Sequence, residues 1–160
     1  MKIAVVSDTH RTMSAIIKVC AILEKENPDL IIHLGDVMED ADAMEGILHR
    51  EVRRVPGNCD FSLKEPSELL LDAEEFRILA VHGHHHRVKR GLRDLASYAK
   101  SKGADIALYG HTHVAQEDEI SGVQMFNPGS AALPQGVQKA SFAMLDLEGK
   151  KVAIRFIPVG

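Results

Sequence analysis

Apolar residues come in two patterns along this chain, unbroken runs and recurrences at i, i+3, i+4, and the two alternate at its start. Residues 2–6 are one continuous run, the pattern of a strand buried on both faces. From Thr12 to Asn27 the period becomes helical, with Met13, Ile16, Ile17, Cys20 and Leu23 on one face. Asn27-Pro28 ends that helix, because a residue before proline is pushed out of the helical region. Leu30–Leu34 predicts a second strand, Ala41–Arg50 a shorter helix with Ala41, Met44 and Leu48 inward, and Glu51–Pro56 a third strand. Residues 68–71 and 75–81 are expected to pair across the acidic turn Asp72-Ala73-Glu74. Val88 to Lys102 predicts a third helix, with Val88, Leu92, Leu95, Ala96 and Ala99 inward and Gly103 closing it. Strands follow at 105–109 and at 116–120 with 123–126. A last hairpin pairs Phe142–Leu147 with Val152–Pro158 around Glu148-Gly149-Lys150. This order predicts one α/β domain over residues 1–160, with parallel pairing giving way to antiparallel halfway along.

Composition narrows the class only a little. The 160 residues are 45% apolar and 26% charged, without tryptophan, as in ordinary globular domains. That length buries roughly 68–70% of the unfolded surface, so no disulfide staples are needed. A formal charge of −4 gives no general attraction to nucleic acid or anionic membranes, although bound metal ions would add local positive charge. Cys20 falls on the apolar side of the first helix, Cys59 lies in a polar motif, and two unpaired cysteines suit a reducing cytoplasm. A strand beginning at Lys2 leaves no room for a signal peptide, and no apolar run approaches the ~20 residues of a membrane span.

Chemistry concentrates in five short polar motifs, each just after a strand-like run. They are Asp8-Thr9-His10, Gly35-Asp36, Gly57-Asn58, His82-Gly83-His84 and Gly110-His111-Thr112-His113. In an open α/β sheet, residues past the carboxyl ends of strands converge on one crevice. Taken singly, Asp8 or Asp36 could as well cap a helix. His111 and His113 are stronger, since two imidazoles so close are costly to desolvate unless something uses them. Together the motifs offer Asp8, His10, Asp36, Asn58, His82, His111 and His113, too many ligands for one tetrahedral ion and about right for a pair.

With Gly57-Asn58-Cys59-Asp60 and Asn127-Pro128-Gly129-Ser130, this series resembles the calcineurin-like metallophosphoesterase superfamily, in its small prokaryotic YfcE-type phosphodiesterase branch. The resemblance runs from Met1 to about residue 145. It implies a two-sheet β-sandwich flanked by helices, a four-layer αββα arrangement, around a dinuclear metal centre. Carried over by motif, Asp8, His10 and His113 would hold one ion, and Asn58, His82 and His111 the other. Asp36 would bridge them, and Asp36, Asn58 and His82 would serve catalysis. Two aspartates against two divalent ions leave the centre net cationic, suited to a phosphate anion and hydroxide. Mixed nitrogen and oxygen donors fit Mn²⁺ first, and also Ni²⁺, Co²⁺, Zn²⁺ or Fe.

The implied activity is hydrolysis of a small phosphodiester by a hydroxide held between two divalent ions. Rival readings are a non-catalytic interaction scaffold, because a retromer subunit keeps this fold, and a phosphomonoesterase or nuclease. Nucleic acid and membrane partners are not indicated, and a homo-oligomer is compatible with the sequence. Cys59 stands where many members of the superfamily carry histidine, so it either contacts substrate or fills space beside the site. His84 is expected at the rim, touching phosphate, with His85 and His86 on a solvated loop. His33 and His49, lacking any motif, read as structural or exposed. Asp60 could orient a ligand or cap a turn. Asn127–Ser130 reads as a type II turn, with a role lining the site resting on the resemblance.

Overall fold

The computed structural model describes residues 1–58, 60, 67–134 and 138–160. In chain order its strands and helices are β1 (Lys2–Val6), α1 (Met13–Glu26), β2 (Leu30–His33), α2 (Glu39–Leu48), β3 (Arg53–Arg54), β4 (Glu68–Ala73), β5 (Phe76–Val81), α3 (Arg93–Ser101), β6 (Ile106–Leu108), β7 (Ala115–Ile120), β8 (Val123–Pro128), β9 (Ser141–Glu148) and β10 (Lys151–Pro158). Two five-stranded sheets form, in the orders β10-β9-β1-β2-β3 and β4-β5-β6-β8-β7.

The unbroken apolar runs are strands with both faces covered. In β1 and β2, Ile3, Val5, Ile32 and the following Leu34 meet Ile78, Ala80, Ile106 and Leu108 of the other sheet. The alternate residues Ala4, Val6 and Ile31 pack on Ile16, Val19, Cys20 and Leu23 of α1 and on Ala41 and Met44 of α2. In the second sheet Leu79, Val81 and Ala107 turn to Leu95, Ala96 and Ala99 of α3. Helices, sheet, sheet and helix thus stack as the four expected layers. Each fully buried Ile, Leu or Val contributes roughly 1.5–3 kcal/mol by leaving water, so parity along a strand decides which layer it binds.

Pairing departs from the expectation in one respect. The change from parallel to antiparallel is not halfway along the chain. β1, β2 and β3 are parallel, but β9 returns to pair antiparallel with β1. The second sheet is parallel through β5, β6 and β8 and antiparallel at both edges. Each sheet is therefore mixed.

Local boundaries shift for identifiable reasons. Met13 and Ile17 are 52% and 54% exposed, because the buried stripe of α1 is centred on Ile16, Val19, Cys20 and Leu23. Ile17 lies roughly 100° around the helix from Ile16. Asn27 closes α1 in a left-handed conformation, its N–H donating to the Leu23 carbonyl at 2.8 Å. The third helix begins at Arg93 rather than Val88, since Arg87 (φ 55°) and Gly91 (φ 137°) break the α conformation and leave short 3-10 turns at His84–His86 and Val88–Arg90. β3 keeps only two ladder residues, with Val55 N–H still reaching the His33 carbonyl at 3.1 Å. Ala73 pairs with Phe76, so the β4–β5 turn is Glu74-Glu75 rather than Asp72-Ala73-Glu74. Among the described residues no helix is long and apolar enough to cross a membrane.

Candidate metal centre

The carboxyl ends of β1, β2 and β3 in one sheet and of β5 and β6 in the other open at a common end of the sandwich, where backbone bonds tie the loops together. Asp8 N–H donates to the Gly35 carbonyl at 2.7 Å, and Gly110 N–H to the His82 carbonyl at 2.8 Å. Close approach requires glycine at two points. A Cβ on Gly57 would lie 2.3 Å from Asp36 Oδ1, and one on Gly110 would lie 2.1 Å from Ser7 Oγ and 2.9 Å from Asp8 Oδ2.

Asp8 is wholly buried. Its Oδ2 accepts from Ser7 Oγ at 2.6 Å and from the His111 backbone N–H at 3.1 Å. Its Oδ1 is buried with no hydrogen bond among the described residues and faces three imidazoles, with Nε2 of His113, His10 and His82 at 3.3, 3.9 and 4.0 Å. Burial alone would raise the Asp8 pKa, but His113, His82 and Ser7 outweigh it and hold the carboxyl at about 2. Reciprocally, Asp8 raises the His113 pKa above its ordinary value against the opposing effect of burial.

Backbone carbonyls fix the ring orientations. His82 Nδ1 lies 2.8 Å from the Leu34 carbonyl, and His113 Nδ1 lies 2.8 Å from that of Leu133. A carbonyl only accepts, so in the neutral rings these nitrogens carry the proton and each Nε2 presents a bare lone pair. His82 Nε2 then faces Asn58 Oδ1 at 3.1 Å and His111 Nδ1 at 3.2 Å. His113 Nε2 faces His10 Nε2 at 3.1 Å. Burial first, then His82 and Lys89, lower the His111 pKa to about 4, which keeps that ring neutral.

Several acceptors converge here with few protons between them, an arrangement that a cation satisfies. Asp8, His10 and His113 offer ligand atoms within 4.8 Å of one another, and so do Asp8, Asp36 and His82. The donors are oxygen and imidazole nitrogen, which fits a borderline divalent ion. Asp8 belongs to both groups. Asp36, 4% exposed and with Oδ2 3.8 Å from His82 Nε2, belongs to the second. Asp8, His10, His111 and His113 all have positive φ, between 45° and 71°. Such strain in non-glycine residues persists only where the surroundings over-determine it, and it clusters at functional sites.

Of the other anticipated residues, His84 packs beside His82 with ring centroids 5.4 Å apart, its Nδ1 buried and without a hydrogen bond among the described residues. Burial, then His85 and His82, lower its pKa to about 4. Cys59 lies outside the described residues. His86 is not a solvated loop residue, because it stacks on Tyr98 with centroids 4.7 Å apart. His49 is exposed and closes α2 in a left-handed conformation.

Supporting groups were less visible in the sequence. The Asp60 carboxylate accepts the backbone N–H groups of Val37, Met38 and Gly57 at 3.0, 2.7 and 2.8 Å, joining the loops that carry Asp36 and Asn58. Asn127, fully buried, donates to Thr112 Oγ1 at 2.9 Å, and Ser130 Oγ donates to the Asp8 carbonyl at 2.7 Å. The turn at Asn127–Ser130, with Gly129 at φ 79°, thus braces both His111–His113 and Asp8. A cleft of about 770 Å³ opens beside His111 and His113, lined also by Val88, Lys89, Arg90, Leu92, Tyr109 and Val114.

Comparison with known proteins agrees with this geometry. Residues 1–150 match the family model for the calcineurin-like phosphoesterase superfamily domain. The probable metallophosphoesterase YsnB of Bacillus subtilis is 35% identical over 156 residues, covering 98% of this chain and 90% of YsnB. Phosphodiesterase YfcE of Escherichia coli K12 is 27% identical over 170 residues, covering 91% and 88% respectively. Among solved structures, a single mutant of Vps29 from Entamoeba histolytica matches with a TM-score of 0.80 at 26% identity, covering 96% of this chain and 90% of that one.

Proposed function

The chain belongs to the calcineurin-like phosphoesterase superfamily, and on that premise we propose that it is a metal-dependent phosphodiesterase with a dinuclear centre. The observation that carries the reading is the buried Asp8 Oδ1, ringed by His10, His82 and His113 and without a hydrogen bond among the described residues. Asp8, His10 and His113 would hold one divalent ion, Asn58, His82 and His111 would hold the other, and Asp36 would serve both. Mn²⁺ is the ion expected first. Bound there, such a pair would supply a hydroxide nucleophile near neutral pH and positive charge where negative charge develops on the phosphate oxygens.

The chain's own residues arrange that chemistry. Leu34 and Leu133 carbonyls hold the His82 and His113 rings with their lone pairs inward. Ser7 and the His111 N–H occupy Asp8 Oδ2 and leave Oδ1 to the centre. His84, neutral and at the edge, is placed to donate a hydrogen bond to a phosphate oxygen. A phosphodiester is favoured over a monoester by the name of the YfcE relative. The likeness to Vps29 keeps a non-catalytic scaffold as the rival.

Metal analysis and a substrate panel on the Mn²⁺-loaded protein test the reading. About two ions per chain are expected, with aryl phosphodiester hydrolysis abolished by chelation and restored by Mn²⁺. Asp36→Asn should lower turnover beyond the roughly 100-fold upper end seen for residues that merely support metal ligands. Uptake of metal without turnover of any ester would favour the scaffold. Activity unchanged in excess chelator would exclude a metal-dependent enzyme.

A further inference from the structure

His33 closes β2 fully buried, and it belongs to neither group of converging ligands. Its hydrogen bonds nevertheless run straight to the first metal loop. Gly35 N–H donates to His33 Nδ1 at 3.1 Å, so that nitrogen is unprotonated. The neutral ring then carries its hydrogen on Nε2, which lies 2.9 Å from Thr9 Oγ1 and donates to it. The Thr9 hydroxyl hydrogen goes to Asp40 Oδ2 at 2.5 Å, and the same oxygen accepts the Arg11 N–H at 2.8 Å. Every proton in this chain has one destination. Thr9, His33 and Asp40 are 0%, 0% and 5% exposed, so water cannot substitute for any of them.

The network joins three elements that the centre needs in register. Thr9 stands between Asp8 and His10, Gly35 precedes Asp36, and Asp40 belongs to α2. Asp8, His10 and Arg11 have φ of 54°, 45° and 56°, a run of left-handed residues that local propensity does not favour. We propose that Thr9, His33 and Asp40 form a proton-ordered clamp that holds the Asp8–Arg11 loop in this conformation, so that His33 and Thr9 are positioning residues for metal binding. Without the clamp the loop relaxes, and Asp8 and His10 no longer present their ligand atoms together. A buried histidine that neither coordinates nor titrates near neutrality thereby acquires a role. The inference rests on the metal centre proposed above.

Calorimetric titration of the metal-free protein with Mn²⁺ tests it without turnover. Thr9→Val keeps the shape of the side chain and removes the hydroxyl. It should weaken Mn²⁺ binding about 10–100-fold, as loss of a ligand's supporting partner does. Thr9→Ser, which keeps the hydroxyl, should restore most of the affinity, as mere filling of space would not. Long-range ¹H–¹⁵N spectra of the wild type should show His33 protonated at Nε2 and bare at Nδ1. A folded Thr9→Val that binds Mn²⁺ as tightly as wild type overturns the clamp alone. So does the opposite His33 tautomer, which decides the matter even if Thr9→Val does not fold. Failure of the wild type to bind any divalent ion removes the metal centre itself, and with it the clamp's role.

Discussion

Burial holds the His33 imidazole at about 4, far below its ordinary 6.5, with the nearby carboxylates of Asp40 and Asp8 opposing that shift and His82 and Arg54 adding to it. The folded protein therefore keeps this ring neutral where the unfolded chain protonates it. The unfolded state binds more protons between pH 6.5 and 4, so stability from this group is complete above 6.5 and is lost as pH falls through that window. A shift of that size corresponds to about 3 kcal/mol. Urea unfolding of the metal-free protein at pH 7 and pH 4 should show a loss that is smaller by about this amount in His33→Asn. Equal losses in both would mean that His33 does not titrate between these limits. Asp8 acts lower, its depressed carboxyl withdrawing stability only as pH falls from 3.8 towards 2. His33 also marks what the sequence conceals. It has no motif around it, and only the parity of β2 and the proximity of Gly35 set it beneath Thr9. Of the two readings, structural or exposed, the first is the one that applies, since His33 is wholly buried and hydrogen-bonded. His33→Ala should consequently cost stability.

Loops gain their rigidity here from single carboxylates, and Asp60 is the clearest case. It accepts three backbone N–H groups from the segments after β2 and β3. Those donors lie at the start of α2 and beside Asn58, so the carboxylate fixes Asp36 relative to Asn58. Asp60→Ala leaves all three without their charged acceptor, and a loss of about 2–3 kcal/mol is expected in urea unfolding, together with weaker Mn²⁺ uptake. Unchanged stability and unchanged uptake would show that water replaces the carboxylate. Asp60 follows directly on a recognisable motif, so its supporting role was partly legible. The motifs were legible because each follows a short strand-like run, apolar in four cases and Val52-Arg53-Arg54-Val55 in the fifth. Pairing was not. β9 finds β1 across nearly the whole chain, and nothing local to Phe142–Leu147 announces its partner. The start of α3 is not legible, because Val88 and Leu92 have helical spacing while Arg87 and Gly91 take conformations that break the helix. Similarly, Met13 and Ile17 read as inward because hydrophobicity alone does not locate the centre of a stripe.

Seen entire, the molecule carries a formal charge of −4, which repels an anionic phosphodiester at long range. The field at the centre has a different source. Lys89 and Arg90, both exposed, line the cleft that His111 and His113 share, and neither forms an ion pair with an acidic side chain among the described residues. Lys89 lies close enough to His111 and His113 to oppose protonation of both rings. Val88, Leu92 and Val114 supply apolar wall beside these charges, a mixture that suits an ester with a hydrocarbon part and an anionic phosphorus. Attraction by exposed side chains is modest and screened. Lys89→Glu with Arg90→Glu should therefore raise KM for an anionic diester about fivefold at low salt while changing kcat much less. The difference should fade as ionic strength nears ~1 M, where the screening length is roughly 3 Å. A KM ratio that persists in high salt would mean that the two cations act by direct contact rather than through the field. No change at low salt would mean that substrate reaches the site by another route than this cleft.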